Sequence, residues 1–307
     1  MSSSALTIRF GGYQSPASVH TRAAEAFGRH LTDTLDGNVQ FDLTGNVIDR
    51  GHKAQDLLHM VEDGRLDVCY FSASYLADRV PEMALLDMPF TFEDRQKAYD
   101  VLDGPLGRHL SDEIAANTGY RLLAFWDNGF RHFTNSVRPI RAPADCQGLR
   151  IRTLFSDLHQ EVFRAIGFEP IALDVKDLIA GIEDGTVTAQ ENPLTNTYNF
   201  GIHEKHRHIT LSSHFFGAAG LLCNAEAYAS WSNERKNAVE AAAVAATQVQ
   251  RQLAGAEDAE MLSVLADTDV DIVRLSTEER AAFAAAVAPL IAAQRQRFGE
   301  QLLAYLD

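Results

Sequence analysis

The chain has 307 residues, 46% of them hydrophobic and 22% charged, which predicts a folded protein of about two domains. Its formal net charge is −15, which argues against a nucleic acid or an anionic membrane surface as partner. The most apolar stretch, residues 281–293, contains Pro289 and is shorter than the ~20 residues that span a bilayer. We therefore expect a protein that is not membrane-embedded.

The cysteines and the N-terminus leave the cellular compartment open. Cys69, Cys146 and Cys223 lie far apart, and their odd number argues against a complete disulfide framework. The start, MSSSALTIRF, lacks the basic and apolar regions of a signal peptide. Either the protein is cytoplasmic, or its leader was trimmed or replaced.

The first third of the chain alternates strands and helices. ALTIRFGG is predicted as a strand, the next segment as a helix with Ala23, Phe27 and Leu31 on one face, and NVQFDLTG as a second strand. A helix stopped by Gly64 then precedes a hydrophobic strand over 66–71. This βαβαβ order predicts a doubly wound α/β domain.

The middle section repeats this pattern after two helices. YRLLAFWDNGF is predicted as a strand running into a polar turn, and a second strand covers 149–152. A helix over 158–166 ends at Gly167, and the next helix is capped by Asp174.

The last third returns to strands and then becomes helical. HITLSSHFF and GAAGLLCN are predicted as two strands that return towards the first domain. Long helices are predicted from Ala225 to Arg251 and from the capping box at Ser276 and Glu279 onward.

Two arginines stand on the strand of GLRIRTLF, and one of them needs a partner. Arg150 can reach solvent, whereas Arg152 lies where the strand gives way to a helix, the usual mouth of an α/β crevice. A guanidinium is rarely fully buried without an anion. Arg152 therefore either binds an external anion or pairs with Asp157 or Glu161.

Three other features allow a functional or a structural interpretation. Arg131, in WDNGFRHFTNS, could bind an anion or be a surface arginine, and Asn192 before Pro193 could present its amide or mark a turn. The histidines of HEKHRH, with His214 beyond, lack the spacing of a zinc site, so we expect a solvated loop and no metal. The chain also lacks a G-x-S-x-G elbow and a phosphate-binding glycine loop, and we expect no catalytic residues and no cofactor.

Taken together, the segments resemble the substrate-binding proteins of tripartite ATP-independent periplasmic (TRAP) transporters, of the dicarboxylate-binding DctP type. The resemblance rests on G-L-R-I-R at 148–152, G-F-E-P at 167–170 and Q-E-N-P-L at 190–194. N-G-F-R at 128–131 and the M-P-F at 88–90 also fit, so it covers nearly the whole chain. The arginine at 152 and the asparagine at 192 stand at the family's separation of 40 residues.

The resemblance implies a two-lobed periplasmic-binding-protein fold with a ligand cleft between the lobes and long C-terminal helices. The first lobe would comprise 1–128 plus 215–253 and the second 129–214 plus 254–307, with hinges near Asn128 and Phe215.

The resemblance also implies the site residues. Arg152 would clamp a carboxylate in a bidentate manner, Asn192 would donate its amide to the same group, and Arg131 would be a second cationic donor. Further residues expected at the ligand are His214, Glu191, Gln14, Ser18, His20, Ser72, Ser74 and Trp126.

The function implied is that of a periplasmic solute-binding protein, not an enzyme, which delivers a small organic acid to TRAP membrane permease subunits. An α/β enzyme acting on a carboxylate and a binding protein feeding a sensor kinase are the alternatives. A C4 acid, a 2-oxo or 2-hydroxy acid, a sugar acid and an aromatic acid all stay open as ligands. Thr188 and Ala189 replace the family's usual Asp-Gly, and Asp177 starts a segment that lacks its Glu-x-Tyr, so the motifs do not specify the ligand's size or polarity.

Overall fold

The computed structural model describes residues 5–306 and shows a mixed α/β fold. The segment MSSSALTIRF was predicted not to be a signal peptide, and its first four residues lie outside the described residues. The strands are β1 Leu6–Gly11, β2 Val39–Thr44, β3 Val68–Ser72, β4 Tyr120–Asn135, β5 Arg150–Thr153, β6 Glu169–Ala172, β7 Ala189–Asn192, β8 His208–Asn224 and β9 Asp271–Arg274. The α-helices are α1 Val19–Thr34, α2 Asp56–Glu62, α3 Arg95–Asp103, α4 Pro105–Asn117, α5 Asp157–Ile166, α6 Val175–Glu183, α7 Leu194–Asn199, α8 Ala225–Ser230, α9 Asn233–Ala266, α10 Thr277–Phe298 and α11 Glu300–Leu303.

The chain forms two compact units. Unit 1 comprises the residues up to Ser72, Arg108–Asp127 and Ala218–Ala254, and unit 2 comprises Ala73–Gly107, Asn128–Gly217 and the residues from Gly255 onward. The chain passes from one unit to the other inside β4 and inside β8. The expected lobe boundaries and hinges stay a prediction, and the units differ from them in grouping 73–107 with unit 2.

Unit 1 is built on a parallel sheet around an aromatic core. β1 pairs in parallel with β2 and β3, and β3 pairs antiparallel with β8. Helix α1 begins at Ser18, whose side chain accepts the Thr21 backbone N–H, and its expected inward face is fully buried. In the core, Phe10 stacks on Trp126 with 6.5 Å between the ring centroids, and Tyr70 is tilted against Trp126 at 5.7 Å.

Unit 2 places β4, β7, β5 and β6 side by side. His132–Asn135 of β4 pair antiparallel with Ala189–Asn192, and β5 pairs in parallel with β7 and β6. Phe133, Ile151 and Phe163 lie in the hydrophobic core of this unit. Helix α5 ends at Gly167, whose φ of 111° is in the left-handed region that favours glycine.

The structure corrects several predictions of secondary structure. The polar turn expected after YRLLAFWDNGF is absent from the described residues, because β4 continues through Gly129 to Asn135, where it pairs with β7. HITLSSHFF and GAAGLLCN form one strand, β8, because its two ends pair with different partners, β9 and β3. β6, β7 and β9 were missed, and α9 extends beyond Arg251 to Ala266.

Four buried histidines make the fold sensitive to acid. Burial lowers the pKa of His20 and of His132 to about 3, and the pKa of His206 and of His214 to about 4. In an unfolded chain a histidine titrates near pH 6.5. Below that pH the unfolded state therefore binds protons that the folded state does not accept.

We expect the free energy of unfolding to be constant near neutral pH and to fall as the pH drops from 6.5 towards 4. Each histidine that stays neutral in the fold contributes a slope of about 1.4 kcal/mol per pH unit within that range. Denaturant unfolding between pH 5 and pH 8 measures this dependence. A free energy of unfolding that does not change between pH 7 and pH 5 would contradict it.

Candidate ligand-binding site

Three strands of unit 2 bring the main predicted residues to one edge of the sheet. Arg152 on β5 is the register partner of Gln190 on β7, and Gln190 is the partner of Thr134 on β4. β5 and β7 are parallel, so they end at the same edge, and this edge is where ligands bind in α/β sheets. Arg152 and Asn192 lie at these strand ends.

Arg152 is a buried cation that forms no ion pair with an acid among residues 5–306. The side chain is 2% exposed, and its Nε donates a hydrogen bond of 2.8 Å to the Leu173 carbonyl oxygen. Among residues 5–306 its Nη groups donate to no protein acceptor, so the alternative pairing with Asp157 or Glu161 is not formed. Burial lowers the pKa of Arg152, and the charges of Tyr75, Glu191 and Asp174 offset only part of that effect.

Arg131, in contrast, is neutralised by Glu191. Its Nε and Nη2 donate to the two carboxylate oxygens, with 2.7 Å between Nη2 and Oε1, and Nη2 also donates to the Glu191 carbonyl oxygen at 2.8 Å. Burial alone would raise the pKa of Glu191, but the Arg131 charge and the His214 hydrogen bond outweigh burial and hold the pKa below its usual value. The Arg131–Glu191 pair is therefore a closed internal ion pair, and the expectation that Arg131 also donates to the ligand stays a prediction.

His214 supports that ion pair from the adjacent strand. Its Nε2 lies 3.3 Å from Glu191 Oε2, and its Nδ1 lies 2.7 Å from the Ser212 hydroxyl. The ring stacks on Phe133 at a centroid distance of 4.3 Å. Burial dominates the lowering of the pKa of His214 to about 4, so the neutral ring donates from Nε2 to Glu191 and accepts from Ser212. Both nitrogens of His214 are thus used inside the protein.

The Asn192 amide is held at both of its ends. Its Oδ1 accepts from Arg131 Nη2 at 3.3 Å and from Asn196 Nδ2 at 3.4 Å. Its Nδ2 donates to Gln190 Oε1 at 2.5 Å. An amide nitrogen carries two hydrogens, and Gln190 is the single acceptor found for them in the described part of the chain. One N–H of Asn192 can therefore serve a ligand.

Tyr75, which the sequence analysis missed, is close enough to Arg152 for the two charges to interact. Among the charges near Tyr75 and Arg152, each residue has the largest effect on the pKa of the other. Burial raises the pKa of Tyr75 overall. Tyr75 contacts Phe155 edge-to-face at 6.3 Å, and Phe155 is 43% exposed. Phe155 lies three positions after Arg152 in the sequence.

The remaining candidates lie in other surroundings. Within unit 1, Ser18 caps α1, Gln14 and His20 are buried, and Ser72 ends β3. Ser74 belongs to unit 2, and its hydroxyl donates to Asp87 at 2.8 Å.

Trp126, which was expected at the ligand, and three other large aromatic residues lie in the interior. None of them is more than 3% exposed: Phe71, Trp126, Phe215 and Phe216. The Trp126 indole N–H donates to the Thr247 hydroxyl at 3.0 Å within the same unit. We therefore assign Trp126 to the core, and its expected contact with a ligand stays a prediction.

The histidine segment differs from the expected solvated loop. His206 is fully buried, with Nδ1 3.0 Å from the Thr134 hydroxyl, whereas His203 and His208 are partly exposed. His206 lies in a loop as predicted, but the expected solvation is wrong for it because its ring is buried against Thr134 of β4. Residues 5–306 contain no cluster of histidine, cysteine or acidic side chains that could hold a metal ion.

Comparison with known proteins identifies the family. The model of the DctP family, the bacterial extracellular solute-binding proteins of family 7, matches residues 10–297. The uncharacterized protein y4mM of Sinorhizobium fredii is 32% identical over 293 residues, which cover 95% of this chain but only 53% of y4mM, so the chain spans about half of that relative. The 2,3-diketo-L-gulonate-binding periplasmic protein YiaO of Escherichia coli is 28% identical over 274 residues, 88% of this chain and 81% of YiaO.

A solved structure shows the same fold. The sugar acid binding protein DctPAm from Advenella mimigardefordensis, in complex with galactonate, is 28% identical and has a TM-score of 0.93. The match covers 98% of this chain and 96% of that one. This likeness confirms the predicted fold class. Within the described residues, the helices are all too short or too polar to cross a membrane.

The family consists of substrate-binding proteins for transport and not of enzymes, in agreement with the prediction. The family match spans nearly the whole chain, and it includes the arginine, the asparagine and the strand that positions each of them. The chain belongs to the DctP family, the bacterial extracellular solute-binding proteins of family 7, which serve TRAP transporters.

Proposed function

We propose that the protein binds a small organic acid through Arg152 and Asn192 and delivers it to the membrane permease of a TRAP transporter. The observation that carries this proposal is the buried guanidinium of Arg152, which has no acidic partner among residues 5–306. A planar guanidinium offers a carboxylate two parallel N–H bonds, and a buried charge without a partner is costly. A ligand carboxylate would supply the missing counter-ion.

Asn192 complements the clamp. Its uncommitted N–H would donate to one carboxylate oxygen, while the Arg131–Glu191 pair fixes the position of the amide without adding net charge. Apart from Asp174, whose carboxylate acts on Arg152 without forming an ion pair with it, the local charge at the strand ends is thus close to that of Arg152 alone. A single ligand carboxylate would neutralise it, and a second carboxylate would find no buried cation of its own there.

This charge balance favours a monocarboxylate with polar substituents, such as a sugar acid. YiaO is named for binding 2,3-diketo-L-gulonate, and the Advenella protein was solved with galactonate. Both compounds are monocarboxylates with several oxygen substituents. Capture by such a protein for a TRAP permease would take place in the periplasm, and the family supports that location.

A thermal-shift screen tests the proposal directly. The screen compares D-galactonate, 2,3-diketo-L-gulonate and succinate with the neutral sugar galactose. We expect at least one acid to raise the melting temperature, and to be recovered unchanged after incubation. Stabilisation by galactose alone, or conversion of the acid to a product, would overturn the proposed function.

Replacing the clamp should abolish tight binding. We expect Arg152→Ala to weaken binding of the acid at least a hundredfold, about 2.7 kcal/mol, because truncating a desolvated charge pair costs about 2–5 kcal/mol. Arg152→Lys should also bind poorly, since an ammonium cannot form two parallel bonds. Isothermal titration calorimetry measures both affinities.

The matched control is Arg150→Ala, on the same strand two residues earlier. The Arg150 guanidinium donates to the carbonyl oxygens of Gly185 and Thr186, so its removal should affect stability more than affinity. Equal loss of affinity in the variants at positions 150 and 152 would contradict the clamp assignment.

The ion pair beside the clamp should act mainly on stability. We expect Glu191→Gln to lower the free energy of unfolding by about 3–5 kcal/mol, because the buried Arg131 charge would lose its partner. Adding Arg131→Met should recover part of this loss. Denaturant unfolding of the two single variants and the double variant gives the coupling energy, and strictly additive effects would show that the pair is not a unit.

A further inference from the structure

A chain of buried hydrogen bonds leads away from Asn192 into unit 2. Asn192 Nδ2 donates to Gln190 Oε1 at 2.5 Å, and Gln190 Nε2 donates to Thr134 Oγ1 at 2.7 Å. Thr134 Oγ1 lies 3.0 Å from His206 Nδ1. Gln190, Thr134 and His206 are fully buried, and Asn192 is 4% exposed. We refer to these four residues as the amide chain.

Strand geometry explains why these side chains meet. Gln190 and Asn192 are two residues apart on β7, so they point to the same face of the sheet. Thr134 is the direct partner of Gln190 on β4, which places both side chains on that face. On the other side of Gln190, its register partner is Arg152. The amide chain thus crosses the sheet next to the clamp.

The chain has one direction of donation. Burial lowers the pKa of His206 to about 4, so the ring is neutral at pH 7 and one of its nitrogens is an acceptor. Gln190 Nε2 donates to the Thr134 hydroxyl, and in the His206 tautomer with the proton on Nε2 that hydroxyl uses its single hydrogen to donate to Nδ1. Gln190 must then present Oε1 to Asn192, and Asn192 must present Nδ2 to Gln190. A flipped Asn192 amide would set two carbonyl oxygens against each other.

We propose that Thr134, Gln190 and His206 are positioning residues, which hold the Asn192 amide in the one orientation that offers an N–H to the carboxylate bound by Arg152. The inference rests on the proposed function for the identity of the bound group, but the orientation itself belongs to the ligand-free protein. A flipped amide would turn its oxygen towards the bound carboxylate and repel it.

The first test needs no ligand. The side-chain amide of Asn192 is followed by NMR in protein labelled with ¹⁵N-asparagine, and its signals are assigned from their loss in Asn192→Ala. We expect Thr134→Val, which keeps the side-chain shape but removes the hydroxyl, to shift these signals and speed their hydrogen exchange. Thr134→Ser should restore the wild-type signals. Unchanged Asn192 signals in Thr134→Val would overturn the proposal, whichever acid the protein binds.

The second test measures affinity, with D-galactonate as the probe for calorimetry. Thr134→Val should weaken binding three- to tenfold, the effect of one misplaced hydrogen bond, and Thr134→Ser should bind like the wild type. In an Asn192→Ala background, Thr134→Val should cause no further loss. A further loss of the same size would show that Thr134 acts by general destabilisation and would overturn the proposal.

Two further variants keep the test decisive. Ser136→Ala removes an exposed hydroxyl two residues along from Thr134 and should change neither the NMR signals nor the affinity. If Thr134→Val does not fold, Gln190→Met removes the acceptor for Asn192 directly and should give the same NMR shift. If the wild-type protein binds no acid, the proposed function is wrong. The proposed role of Thr134, Gln190 and His206 in orienting Asn192 is then still decided by the NMR test, which needs no ligand.

Discussion

The site depends on the contrast between two buried arginines. Arg131 is matched by Glu191 in an ion pair that is nearly inaccessible to solvent, whereas Arg152 is equally buried and has only the Leu173 carbonyl oxygen as a hydrogen-bond acceptor among residues 5–306. In a medium of low dielectric constant, an uncompensated charge attracts an external anion far more strongly than the same charge on the surface does. The pairing of one arginine leaves the other as the cation to which an organic acid can bind.

The register of the strands creates this contrast. β5 and β7 end at the same edge, and β4 runs antiparallel against β7, so Arg152, Asn192 and the Arg131–Glu191 pair come from separate parts of the chain. A shift of one residue in β7 would turn the Asn192 side chain to the opposite face and exchange it with Glu191. The hydrogen bonds that fix the amide therefore depend on the same ladder that holds the sheet together.

The sequence predicted the presence of helices and strands better than it predicted the residues at which they end. Helix α1 follows from the spacing of its apolar residues, α5 from its end at Gly167, and α10 from the capping box at Ser276 and Glu279. Asn128 and Gly129 were interpreted as a turn because local preference favours one, but pairing of the following residues with β7 overrides it.

The resemblance to the family singled out Arg152 and Asn192, whereas the side chains around them depend on contacts distant in sequence. The contact between His206 and Thr134 joins residues that are 72 positions apart. Tyr75 and Arg152, whose charges interact, are also far apart in the sequence. No local pattern encodes such pairs. This is why Gln190 and Thr134 went unnoticed although both stand inside quoted motifs.

The buried guanidinium of Arg152 also has a consequence for the ligand-free protein. A buried charge without a counter-ion destabilises the ligand-free protein. A bound ligand should therefore raise the resistance of the chain to heat and to proteases. Vacant and loaded copies would then differ in lifetime as well as in content.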